Sequence, residues 1–182
     1  MAMPITGKLY SPFVIETDVK GDIDFFKPYM NQMEWTDSNI LYGSKIPEIT
    51  GNKPMVKHFV QHISEYDRKL TKYVVTLFRE LGIKTKDFRA DFFLVKEGGY
   101  MPPHIDGMSK IALLLPLSLN TGPLVCETEN TRFEILYQNL TILNTQVCHS
   151  VESPTEDRLL FRIGIHDVLF EDIGIYKDLA KY

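Results

Sequence analysis

The spacing of apolar positions along the chain changes character once, near residue 87. Ahead of that point Val56, Phe59, Val60, Ile63, Leu70, Tyr73, Val74, Leu77, Phe78 and Leu81 recur at steps of three and four, the signature of one helix face. The spacing predicts an amphipathic helix over 54–81, continuous or broken near Ser64, where Ser64 to Asp67 resembles a capping box. Pro54 suits its first turn and Gly82 its stop. Upstream, residues 8–16 carry β-branched and aromatic residues around Pro12 and predict an edge strand. Ile23, Phe25, Phe26, Tyr29 and Met30 predict a short helix that Pro28 limits. Residues 34–53, rich in turn formers, read as short strand and loop.

Beyond residue 87 the helical period gives way to short strands. Residues 88–96 are rich in Phe, Leu and Val, and Gly98-Gly99 interrupts them. The run at 110–117, Lys-Ile-Ala-Leu-Leu-Leu-Pro-Leu, predicts a strand covered on both faces. Further runs at 123–127, 132–137, 140–143, 147–151 and 158–168 are separated by turn residues. Regular spacing of this kind predicts a sandwich or barrel. The expected class is α+β, mainly β: an N-terminal strand and helices over 1–87, a β core over 88–168 and a C-terminal tail over 169–182.

Composition narrows the class without naming a function. A chain of 182 residues fits one domain whose core needs no disulfide staples. The net charge of −4 gives no electrostatic case for nucleic acid or an anionic membrane. Cys126 and Cys148 form neither a disulfide framework nor a CxxC site, and read as small buried residues in a reducing compartment. No basic-then-apolar leader and no apolar window of spanning length is visible, so the expectation is a soluble, cytoplasmic protein without membrane or nucleic-acid partners.

The chemistry concentrates in residues 100–107, Tyr-Met-Pro-Pro-His-Ile-Asp-Gly. On an extended strand His104 and Asp106 leave the same face. An imidazole and a carboxylate on one face are two parts of the 2-His-1-carboxylate set, which leaves positions open on Fe(II) for oxygen chemistry. His149, in Gln-Val-Cys-His-Ser-Val-Glu, is the candidate third ligand, because a rolled two-sheet fold lets distant strands meet across the interior. Arg158 opens the last strand and shares a face with Leu160 and Arg162. A buried arginine needs an anionic partner, and a bound dicarboxylate supplies one; Arg162 and Lys110 are rivals for that role. His58 and His62 stand four apart without a glutamate between them and are not read as a metal site. His166 reads as structural or as a residue that supports the ligands from behind, and Asn144, Thr141 and Ser118 could donate to a carboxylate.

These residues resemble the Fe(II)- and 2-oxoglutarate-dependent oxygenases, built on a double-stranded β-helix (a jelly-roll, cupin-like fold). The family pattern is His-x-Asp, a distal His, then Arg or Lys about ten residues later; here His104-Ile-Asp106, His149 and Arg158 occupy it. The stretch Leu-Val-Lys-Glu-Gly-Gly-Tyr-Met-Pro-Pro-His resembles the family's approach to its first histidine, and the closing Arg-Leu-Leu-Phe-Arg-Ile-Gly-Ile-His-Asp resembles the last strand of prolyl-hydroxylase-like and aspartyl/asparaginyl β-hydroxylase-like members. The resemblance covers residues 88–168. It implies that His104, Asp106 and His149 bind Fe(II) and that Arg158 holds the C5 carboxylate of 2-oxoglutarate, with Tyr100 and Arg162 as further co-substrate contacts. It also implies O2-dependent hydroxylation of an amino-acid side chain, proline or Asp/Asn-like, free or in a peptide or protein. Prolyl 4-hydroxylases carry a tyrosine about nine residues before the first histidine, where this chain has Val95. The aspartyl β-hydroxylase group often lacks the carboxylate ligand, which this chain retains. The alternative is a non-catalytic cupin-like domain that binds a metal or ligand.

Overall fold

The computed structural model describes residues 5–10, 12–30, 34–42, 54–63, 66–118, 123–136 and 138–181. Strands β1 (Gly7–Tyr10) and β2 (Val14–Thr17) pair antiparallel, so the predicted edge strand over 8–16 is a hairpin turning near Pro12. Helix α1 (Ile23–Met30) carries Pro28 within it. Strand β3 (Thr36–Asp37) leads into helix α2 (Ser38–Tyr42); residues 43–53 of the predicted loop lie outside the described residues.

The long helix expected over 54–81 is a strand followed by a helix. Strand β4 (Val56–His62) pairs with β3 and with β5, and only α3 (Arg68–Leu81) is helical. Pro54 therefore starts no helix. The inward face of β4 presents His58, Val60 and His62, so polar residues mask the alternation that marks a strand. Pairing with β5 overrides a local pattern of this kind. Ser64 lies outside the described residues, and the cap of α3 is Asp67, which accepts from Leu70 N at 2.7 Å and from Tyr29 Oη at 2.9 Å. Gly82 stops the helix in the left-handed conformation (φ 68°), with its N–H on Arg79 O and that of Ile83 on Phe78 O, the hydrogen-bonded ending glycine permits.

The β core follows the predicted runs: β5 (Phe88–His104), β6 (Ile111–Pro116), β7 (Leu124–Glu127), β8 (Arg132–Ile135), β9 (Thr141–Asn144), β10 (Cys148–Val151) and β11 (Arg158–Ile165). Strand β5 serves two sheets. Its first half lies between β4 and β11, in the order β1-β2-β9-β6-β11-β5-β4-β3; its last residues pair with β10, which continues through β7 to β8. All pairs are antiparallel, and the two sheets roll into a double-stranded β-helix.

Side-chain parity divides the core into two layers. Phe161, Ile163 and Ile165 of β11, with Ile111, Leu113 and Leu115 of β6, pack outward onto Phe26 of α1 and Leu70, Val74, Leu77 and Leu81 of α3. Leu160, Ala112, Leu114 and Phe93 face inward with Leu124 and Leu143. Both faces of β6 are thus covered, as its unbroken apolar run predicts. The expected C-terminal tail is packed: a 3₁₀ turn (Phe170–Asp172) and helix α4 (Gly174–Leu179) bury Phe170, Ile173 and Ile175 in the outer layer. No helix among the described residues is long and apolar enough to cross a membrane. Cys126 is buried and Cys148 half-buried, and both are free thiols.

Candidate metal centre

His104 is the last residue of β5, and β10 places His149 directly opposite it. The two histidines are therefore neighbours on adjacent strands, rather than meeting across the interior as the rolled fold suggests. Their ring centroids are 4.3 Å apart. Each ring is fixed by its own backbone: His104 Nδ1 bonds Pro102 O at 2.8 Å and His149 Nδ1 bonds Val147 O at 2.9 Å. A carbonyl oxygen only accepts, so both Nδ1 atoms carry the proton and both Nε2 atoms carry a lone pair, the tautomer a metal-binding histidine needs.

Asp106 lies past the end of β5, in a loop, so strand alternation is not what aims it. Its N–H bonds Thr145 O at 3.1 Å. Gln146 Nε2 bonds the carbonyls of Asp106 at 3.2 Å and Ser109 at 2.8 Å, and Thr145 Oγ1 bonds Ser109 O at 2.6 Å. Pinned in this way, Asp106 Oδ1 stands 3.4 Å from His104 Nε2 and 3.8 Å from His149 Nε2. Its other oxygen, Oδ2, accepts from Arg162 Nη2 at 2.8 Å, and the same nitrogen donates to Ser109 Oγ at 3.2 Å. Room for that guanidinium depends on Gly164, where a Cβ would come within 2.7 Å of Ser109 Oγ and 2.9 Å of Arg162 Nη1.

Electrostatics favour the ligating forms. Burial alone would raise the Asp106 pKa, but the adjacent His104 imidazole and the Arg162 guanidinium outweigh it and hold the carboxyl well below its usual range. Burial, helped by His104, lowers His149 to about 4, so its ring is neutral at physiological pH. The donor set itself tests whether a metal fits. His104 Nε2 is buried without a hydrogen-bond partner, a costly state unless something else meets the lone pair. The three ligand atoms lie within 4.8 Å of one another, and a set of two imidazoles and one carboxylate suits a first-row divalent ion. The residues fit.

Around this cluster the cavity is lined by the inward residues of the β-helix, including Phe93, Leu114, Leu143, Leu160, Arg158 and Arg162. Arg158 is 3% exposed, and burial pulls its pKa down to about 9, which leaves it charged at neutral pH. It sits beside Val95 of β5. Arg162 lines the same wall, with its guanidinium on Asp106. Tyr100 pairs with Val56 across β4 and does not line this cavity. Lys110 bonds Gln146 Oε1 at 3.4 Å, away from the cavity. His166 contacts Asp87 at 3.1 Å near the end of β11. Asn144 donates to Pro12 O, Thr141 to Asn139 O, and Ser118 Oγ accepts from Leu159 N.

Sequence reasoning overlooked three contributors. His58 lines the cavity although the helical reading of its segment set it aside. Gly164 and Ser109 support Arg162, and neither stands in a recognisable motif. His62 instead pairs with Asp91 at 2.5 Å.

No family model and no curated protein sequence matches this chain. Solved structures do. A prolyl hydroxylase from Trichoplax adhaerens, in complex with a hypoxia inducible factor oxygen degradation domain peptide fragment, aligns over 87% of this chain and 78% of its own at 15% identity, TM-score 0.58. HygX from Streptomyces hygroscopicus with nickel and 2-oxoglutarate bound aligns over 87% and 84% at 11% identity, TM-score 0.59. A prolyl-4-hydroxylase from Pseudomonas putida aligns over 76% and 95% at 14% identity, TM-score 0.50. In fold, the chain resembles the 2-oxoglutarate- and Fe(II)-dependent oxygenases.

Proposed function

We propose that the protein is an Fe(II)- and 2-oxoglutarate-dependent dioxygenase that hydroxylates an amino-acid side chain, proline or Asp/Asn-like, free or in a peptide or protein. The observation that carries this reading is the buried, unbonded His104 Nε2 beside Asp106 Oδ1 and His149 Nε2. The HygX structure, similar in fold, holds nickel and 2-oxoglutarate, and the Trichoplax enzyme holds a peptide; both support the co-substrate and the substrate class.

His104, Asp106 and His149 would hold the ion on one side and leave its other positions open. With 2-oxoglutarate and O2, a bound Fe(II) would supply the oxidation, in which one oxygen atom would go to a substrate C–H bond, giving an alcohol, and the other to the co-substrate, which would leave as succinate and CO2. The protein binds, orients and excludes water. Arg158 pairs with the C5 carboxylate of 2-oxoglutarate, a charge-assisted contact in a low-dielectric wall. Arg162 occupies Asp106 Oδ2 and so turns Oδ1 toward the histidines. Ala112 and Leu114, from the apolar strand β6, keep that wall dry.

Succinate release from 2-oxoglutarate, measured with Fe(II) across amino acids and proline-rich or Asn/Asp peptides, tests the reading. A matching side chain raises release above the uncoupled rate, and His104→Ala abolishes it. Release that is absent for every compound, together with no Fe(II)/2-oxoglutarate binding, contradicts the reading.

A further inference from the structure

His58 is 1% exposed, yet it brings two polar ring nitrogens into the cavity wall. Its Nδ1 lies 2.6 Å from Ser38 Oγ, which is itself fully buried. Its ring stands edge-on to Phe93, centroids 5.3 Å apart. Two elements thus lock the imidazole: α2 through Ser38 and β5 through Phe93.

Its address in the sheet is specific. Val95 pairs with His58 on one side and with Arg158 on the other. The three residues stand in one row across three strands, on the inward face. Val95 is short, so the side chains on either side of it share the space above it. Both His58 and Arg158 line the cavity that holds His104, Asp106 and His149. Burial, reinforced by the positive charges of Arg158, His104 and Arg162, lowers the His58 pKa to about 3. The ring is therefore a neutral group, able to donate one hydrogen bond without adding charge.

We propose that His58, held by Ser38, is a positioning residue for the co-substrate: its Nε2–H donates to the terminal carboxylate that Arg158 pairs. In this arrangement the Ser38 hydroxyl donates to Nδ1, which places the ring proton on Nε2, facing the cavity. A carboxylate has two oxygens and several lone pairs. One cation and one neutral donor on adjacent sides fix its orientation as well as its charge. The assignment gives Ser38, buried in an otherwise short helix, a reason to be polar. It rests on the co-substrate reading above.

The test compares two ligands on Ni(II)-loaded protein by equilibrium titration: 2-oxoglutarate, and 2-oxovalerate, which has the same chain length without the terminal carboxylate. His58→Phe is expected to weaken 2-oxoglutarate binding roughly 10-fold or more, the loss of one hydrogen bond to a charged group, and to leave 2-oxovalerate within about twofold. His58→Gln, which keeps an N–H donor, recovers part of the loss, and Ser38→Ala shows a smaller loss on 2-oxoglutarate alone. Ni(II) affinity, which His58 does not touch, reports whether each variant is folded. If the His58 variants do not bind Ni(II), Ser38→Ala decides between the outcomes. Equal losses on both ligands, or none on either, overturn the assignment. The failure of the wider reading looks different: there the wild-type, Ni(II)-loaded protein binds neither ligand.

Discussion

Arg162 Nη2 donates to Asp106 Oδ2 at 2.8 Å, while Asp106 Oδ1 faces the Nε2 atoms of His104 and His149. One carboxylate is thereby divided between a guanidinium and two imidazoles. The guanidinium fixes which oxygen points at the histidines and keeps the carboxyl ionised. A contact of this kind behind a ligand typically governs metal affinity by one to two orders of magnitude.

Arg162→Met should accordingly weaken Fe(II) or Mn(II) binding roughly 10- to 100-fold while the fold is retained. Metal titration of the purified variant measures this. An unchanged metal affinity, with 2-oxoglutarate binding lost, would instead make Arg162 the co-substrate anchor.

Gly164→Ala probes the same contact without touching a charge. The added Cβ lies inside van der Waals distance of Ser109 Oγ and Arg162 Nη1, so the hydroxyl and the guanidinium must shift from the positions in which the guanidinium meets Asp106. Metal affinity should fall in the same direction as for Arg162→Met, and the two substitutions combined should cost less than the sum, since they break one contact.

Arg158→Ala is expected to act on the other ligand. The apparent KM for 2-oxoglutarate should rise about 30-fold or more, as for the loss of one partner of a buried, hydrogen-bonded charge pair, with metal binding nearly intact. A steady-state titration of 2-oxoglutarate at saturating Fe(II) separates the two effects. Equal weakening of metal and co-substrate would place Arg158 in the scaffold.

Much of this site was legible in the chain because its signals are local or periodic. His104, Asp106 and His149 were found from their residue types and spacing, and the alternation of Arg158, Leu160 and Arg162 against Leu159, Phe161 and Ile163 matches the two layers of the core. The β4 segment reads as helix because the face that alternates inward is largely polar: His58 and His62 serve the interior where apolar residues ordinarily mark a strand. Asp106 stands beside the two histidines for a different reason than alternation. Backbone and side-chain bonds from Thr145 and Gln146 place it, and those contacts span about forty residues of sequence. No window of sequence contains them. Gly164 is legible only as a glycine until the guanidinium beside it is seen.

The buried histidines also set an acid limit on the metal-free protein. His149 and His58 have folded-state values near 4 and 3, below the ordinary histidine value near 6.5. The unfolded chain takes up those protons first, so their neutral burial contributes fully above about pH 6.5 and is lost as the pH falls toward 4. The slope is at most about 1.4 kcal/mol per pH unit for each histidine. Urea unfolding of metal-free protein between pH 7 and pH 4.5 should show falling stability, and His58→Gln should make the slope shallower. A flat profile in wild type contradicts the neutral burial of both rings.

In the proposed mechanism one cluster binds a metal, and the metal and Arg158 together bind 2-oxoglutarate. Calorimetric titration of 2-oxoglutarate into the protein, with and without Fe(II) under anaerobic conditions, tests it most directly. Saturable binding is expected that requires the metal, is lost in His104→Ala and is weakened in Arg158→Ala. Binding that is absent in the wild-type protein with metal, or that is identical in wild type and His104→Ala, would contradict it.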